Sequence, residues 1–223
     1  MDKNVWVLMP TALKEHVPAT LEKWSKQGYQ IGLLTDWGTA IGKTASPVDL
    51  VVYAKRYPGV WLSWNLLAQT VLRLRADVCV LVGDDMDPDP TKDAQQIAAE
   101  YLEKFPDGFG VMQPCGDPQG VDASGLCAAA RICGSPWVGR AWIQFAYGGG
   151  GPVNAMYDSF YADEELKHYA EKMGRLWMRP DLSQFHRHWS WRHLPKQDYH
   201  ERNQKQWEAD KALFERRKAS GFA

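Results

Sequence analysis

The sequence predicts an α/β fold of Rossmann-like kind, a mostly parallel central sheet flanked by helices. Three observations predict it. Apolar, β-rich runs alternate with segments of helical spacing through about residue 115. One run, Val78–Val82, is apolar without interruption, as a strand buried on both faces requires. The runs close on polar turns, the edge where parallel α/β sheets place their ligands.

Asn4–Met9 (NVWVLM) is the first strand and ends at Pro10-Thr11. Leu13–Gly28 carries Leu13, Val17, Leu21 and Trp24 on one helical face and stops at Gly28. Tyr29–Leu34 is the second strand, ending at Thr35-Asp36, so the first thirty-odd residues form a βαβ unit. Asp49–Tyr53 reads as a third strand and Trp61–Arg75 as a helix. Val78–Val82 is the central strand, Lys92–Phe105 an amphipathic helix and Gly110–Pro114 a further strand. Beyond residue 116 the alternation fades. Residues 134–152, rich in glycine, proline and aromatics, read as a mobile loop, with Gly148–Gly151 free to let it close. Asp163–Gly174 is a short helix with three acids in its first turn, and 198–218 a charged C-terminal helix. With no internal repeat and no low-complexity linker, one domain over residues 1–223 is expected.

Bulk properties exclude several classes. A formal net charge of −1 is not that of a polycation built to coat nucleic acid. No apolar stretch has the length of a membrane span, and MDKNVWVLMP lacks a signal-peptide layout. Four cysteines without CxxC spacing argue against a zinc site and point to a reducing, cytoplasmic setting. Eleven tryptophans is a high count. Trp142, Trp189 and Trp191 stand beside Arg, Gly or His in the local sequence, where a flat ring lines a groove for an acceptor sugar or base.

The segment VCVLVGDDMDPDP (78–90) asks for an explanation: a buried strand ends in four aspartates within six positions. Crowded carboxylates repel one another unless a cation sits among them. Asp85 and Asp87 are spaced to place oxygens around one hard ion, Mn²⁺ or Mg²⁺, leaving positions for phosphate oxygens. A solvated Asp/Pro turn is the alternative.

On these residues the chain resembles the nucleotide-sugar-dependent glycosyltransferases of the GT-A fold, particularly the inverting family-2-like group. VLVGDDMDPDP is similar to the family's DxD segment, giving Asp85, Asp87 and Pro90. The resemblance implies a metal bridging the donor's two phosphates, a nucleotide-sugar-binding half over 1–115 and an acceptor-binding half over 116–223. It also implies nucleotide-sugar contacts at Pro10, Thr11, Asp36, Asn65 and Asp84. FYADEEL (160–166) resembles the family's acidic motif, which makes Asp163 the general base, with Glu164 next to it the alternative. SQFHRHWSWRH (183–193) offers His186 or His188 to complete the metal shell, as a C-terminal histidine does in several such enzymes.

In general texture the chain also looks like the small glycosyltransferases of phage genomes, some of which modify hydroxymethylated pyrimidines in DNA and others glycans. Residues 175–205 hold seven Lys/Arg against three acids, with Trp177, Trp189 and Trp191 interleaved, a composition suited to stacking on a base or a sugar. A duplex base would have to be flipped out to react. Two other classes compete. A nucleotidyltransferase on the same scaffold would be expected to show a glycine-rich basic loop after the first strand, which MPTALKEHVP lacks. A non-catalytic nucleic-acid or carbohydrate binding module would keep the acid turn as structure only.

Overall fold

The computed structural model describes residues 2–12, 16–36, 47–117, 130–187 and 203–222. Its core is a seven-stranded sheet built from β1 (Val5–Pro10), β2 (Gln30–Asp36), β3 (Leu50–Ala54), β4 (Val78–Leu81), β6 (Val111–Pro114), β7 (Trp137–Gly139) and β8 (Leu176–Arg179). The strand order is β3-β2-β1-β4-β7-β6-β8. Neighbours pair in parallel, except that β7 runs against both β4 and β6. Two short strands, β5 (Met86–Asp87) and β9 (Phe185–His186), form a separate antiparallel ribbon.

Alternation along the strands sorts the core into two layers. Val5, Val7 and Met9 of β1, with Val78 and Val80 of β4, meet α1 (Val17–Lys26) and α3 (Ala94–Lys104). Trp6, Leu8, Cys79 and Leu81 face the other way. There they meet α2 (Val60–Arg73), α4 (Arg140–Phe145), α5 (Ala162–Lys172) and α6 (Trp207–Ala219). Local chemistry sets the helix starts. A proline occupies the first turn of α1, where its missing N–H costs nothing. Asp93 and Gln96 exchange reciprocal hydrogen bonds of 2.8 and 2.9 Å as a capping box on α3.

The helices and strands expected before residue 116 are present with ends shifted by a few residues, residues 13–15 of the expected first helix lying outside the described set. The expectation of a loop over 134–152 is overturned. This stretch supplies β7, α4 and a 3₁₀ turn at Ala146–Gly149. Three residues of antiparallel strand are too few to show a period, and Gly139 masks them; a Cβ there would sit 2.3 Å from the Gly108 carbonyl oxygen. Nor is Gly148–Gly151 a free hinge. Gln69 of α2 donates to the Gly149 carbonyl at 3.1 Å, and Trp142 donates to that of Pro152 at 3.1 Å. The glycines satisfy backbone rather than motion: Gly148, Gly149 and Gly151 all have positive φ.

The C-terminal helix is fastened by two buried carboxylates. Asp210 of α6 accepts from the backbone N–H groups of Asp158, Ser159 and Phe160 at 2.9–3.0 Å. Glu165 of α5, fully buried, accepts from Arg217 of α6 at 2.8 and 3.0 Å and from Asn154 and Tyr157. Between them Tyr161, in the left-handed region at φ 69°, stacks on Phe214 and packs at a tilt against Trp207 of α6. Such a backbone conformation costs about 1–3 kcal/mol and persists where its surroundings over-determine it.

Candidate active site at the carboxyl edge of the sheet

From β1 the chain proceeds outward through β2 to β3, then returns to β4 on the other side of β1. The crevice outside the ends of β1 and β4 is therefore the topological switch point, where open α/β sheets bind ligands. Pro10 closes β1 in register with Leu34. Thr11, just beyond, anchors its N–H to the Leu34 carbonyl at 2.9 Å and donates its hydroxyl across the crevice to Asp84 Oδ2 at 2.9 Å. His16 Nε2 lies 4.0 Å from the other oxygen of Asp84. Asp36 ends β2 on the same edge, opposite Ala54.

The four aspartates after β4 have four different surroundings. Asp84 meets Thr11. Asp85 meets His186, whose Nε2 lies 3.2 Å from Asp85 Oδ2 although the two are 101 residues apart in the chain. The β5–β9 ribbon makes that meeting, pairing Met86 with His186, and the Arg187 N–H donates to the Asp85 carbonyl at 2.9 Å. Asp87 meets cations: Lys23 Nζ on one oxygen and Arg187 Nη1 on the other, both at 2.6 Å. Asp89 is buried and structural, accepting from the N–H groups of Thr91 at 2.7 Å, Lys92 at 3.2 Å and Ser183 at 2.6 Å.

A divalent ion fits one part of this arrangement. Ligands on adjacent corners of a shell with bonds of about 2.1 Å lie roughly 3 Å apart, the spacing of Asp85 and His186. Asp87, the other expected ligand, is engaged by Lys23 and Arg187. Among the described residues no group of three His, Cys, Asp or Glu closes into a full ligand set. His188, Trp189 and Trp191 lie outside the described residues, as do 192–202 of the basic stretch.

On the far side of β4, the antiparallel run of β7 brings its start to this same edge. The Leu81 N–H donates to the Pro136 carbonyl at 2.9 Å, and Cys133, just upstream, donates to the Asp163 carbonyl at 3.1 Å. Asp163 is thereby tied, in the first turn of α5, to the segment that leads into β7. Burial lifts its carboxyl to about 6, against a hydrogen bond from the Glu164 N–H that favours the anion. By exposure Asp163 and Glu164 are both half-buried. Glu165, third of the acid run, is consumed by Arg217.

Two other expected site residues are elsewhere. Asn65 spends both ends of its amide on the Val153 backbone, at 2.9 and 3.2 Å, and the Gly151 α-carbon packs against it. It secures the chain between α4 and α5 rather than facing the crevice. Trp142 is 0 % exposed, between Phe109 and Tyr169, and cannot touch an acceptor. Sequence reasoning gave no individual role to Lys23, Arg187 or Glu165; the basic stretch containing Arg187 and the acid run containing Glu165 carried the signals that were there.

No family model matches the chain, and no curated protein matches it. Among solved structures it is similar to A197 from STIV, with a TM-score of 0.52 and 13% identity over 82% of this chain and 85% of that one. It is similar at lower score to a putative glucose-1-phosphate thymidylyltransferase from Bacillus anthracis (TM-score 0.44, 12% identity, 79% and 85% covered). The third is a cytidylyltransferase from Leptospira borgpetersenii (0.46, 11%, 80% and 76%). The likeness to A197 bears on the fold alone, and with the strand order above it gives a Rossmann-like α/β sheet whose switch point carries Thr11, Asp84, Asp85 and His186.

Proposed function

We propose that this protein is a metal-dependent glycosyltransferase that moves a sugar from a nucleotide-sugar, a UDP-sugar in the first instance, to a hydroxyl acceptor with inversion. The observation that carries the reading is the convergence of Asp85 and His186 at the switch point, beside the Thr11–Asp84 bond. Asp85 and His186 would hold Mn²⁺ or Mg²⁺, whose charge stabilises a departing nucleoside diphosphate. Thr11 and Asp84 lie where the nucleoside would be gripped, with Pro10 and Asp36 flanking them. Lys23 and Arg187 fix Asp87 and so hold the turn and the ribbon in register.

Asp163 supplies the base. A carboxylate lifted to about 6 is ionised at neutral pH yet basic enough to take the acceptor's proton as its oxygen attacks the anomeric carbon. The acceptor we favour is a hydroxymethylated pyrimidine in DNA, with a glycan or small molecule as the alternative.

The test is a panel of sugar nucleotides with Mn²⁺, scored for released nucleoside diphosphate with and without hydroxymethylated DNA. Acceptor-dependent release supports the reading. Pyrophosphate made from a nucleoside triphosphate and a sugar phosphate would assign nucleotidyl transfer instead, and binding without turnover would leave a binding module.

A further inference from the structure

One buried side chain near the Asp85–His186 pair is not explained by the fold. Gln184 is only 6 % exposed, yet neither its Nε2 nor its Oε1 has a hydrogen-bond partner among the described residues. A buried polar group left unsatisfied costs about 1–3 kcal/mol, and a native protein that keeps one has a use for it. Gln184 stands immediately before β9, two residues from the histidine whose imidazole reaches Asp85.

The surrounding backbone holds Gln184 there. The Ser183 N–H donates to Asp89 at 2.6 Å, the Leu182 carbonyl accepts from the Gly116 N–H at 2.8 Å, and the His186 N–H donates to Asp117 Oδ2 at 3.4 Å. Asp117, also buried, therefore stands alongside. A carboxamide presents a donor and an acceptor together, whereas the carboxylates beside it only accept. A phosphate, which accepts and is anionic, suits neither Asp117 nor the amide oxygen. A group that both donates and accepts, the hydroxyl of a sugar, satisfies both. The position agrees with connectivity, because in a nucleotide-sugar the hexose is bonded to the phosphate that the ion at Asp85 and His186 would hold.

We propose that Gln184 and Asp117 form a subsite for the hydroxyls of the transferred sugar and set which sugar is accepted. The assignment rests on the glycosyl-transfer reading and adds the residues that read the donor. The test uses the full chain with Mn²⁺ and titrates UDP, GDP and dTDP beside their glucose, galactose, mannose and N-acetylglucosamine conjugates. In the wild type at least one conjugate binds more tightly than its parent diphosphate. Gln184→Met, which removes the amide at similar volume, keeps diphosphate affinity within about twofold and loses about tenfold of the increment due to the sugar. Its unliganded Tm stays level or rises, since no partner is lost; Gln184→Ala reports the same increment should methionine pack poorly. An unchanged sugar increment overturns the subsite while leaving glycosyl transfer standing. A Tm fall beyond about 5 °C in both variants also overturns it, by showing the amide to be structural. A wild type that binds no sugar nucleotide at all is a different result, and it removes the glycosyl-transfer reading together with its subsite.

Discussion

Replacing Arg217 by methionine tests how the C-terminal helix is held. The side chain keeps its apolar stem and loses its charge, leaving Glu165 fully buried with Asn154 and Tyr157 as its remaining donors among the described residues. Hydrogen bonds from those two neutral groups contribute about 0.5–1.5 kcal/mol each, too little to stand in for a cation. Breaking a buried pair by removing one partner costs about 3–5 kcal/mol, a large part of the roughly 5–15 kcal/mol that holds a typical domain together. Urea denaturation followed by tryptophan fluorescence should therefore show Arg217→Met less stable by about 3–5 kcal/mol. The double variant Glu165→Met/Arg217→Met should recover most of the loss, because no charge is then stranded. A loss below 1 kcal/mol in the single variant, the figure for an exposed pair, would refute the argument that this contact anchors α6.

Asp163→Asn should abolish transfer and stabilise the protein at neutral pH. Folded Asp163 protonates near 6 against the ordinary carboxyl value of 3.8, so between those values the folded state binds more protons than the unfolded chain. Wild-type stability therefore falls as pH rises through that window, and above it the asparagine variant should lead by on the order of 1–3 kcal/mol; equal melting at pH 4 and 7.5 would contradict the assignment. Transfer by the wild type should rise as pH increases through about 6. Asp85→Ala should lose Mn²⁺-dependent nucleotide binding by more than about tenfold and chelation should mimic it, whereas Asp87→Asn should mainly lower Tm; the reverse pattern in titration calorimetry would make Asp87 the principal ligand. Gly139→Ala should cost more than about 2 kcal/mol in urea denaturation, because its Cβ would meet the Gly108 carbonyl oxygen at 2.3 Å.

The first half of the chain was readable because its elements are long enough to show their period and stop at strong signals: Gly28, the Pro10-Thr11 turn, the acid turn. Strand alternation could not assign the aspartates. Neighbours in sequence, they divide among Thr11, His186, Lys23 with Arg187, and the Thr91–Lys92 turn with Ser183, and each of the four has a partner brought from a distant segment. Trp142 misled because glycine and arginine neighbours suggest an exposed groove, while helix α4 turns the ring inward. Asn65 lay on the expected helix, but what it holds, the Val153 backbone, is 88 residues away. Only tertiary contact could reveal it.

The single reversed strand has a consequence for synthesis on the ribosome. Until β7 is made, one side of β4 (VCVL) is an apolar edge with open backbone groups, since β6, although earlier in the chain, reaches the sheet through β7. A polypeptide halted before Trp137 would expose that edge to other chains and invite aggregation. The β4–β7 seam is thus also a point in translation at which the nascent chain is open to edge pairing.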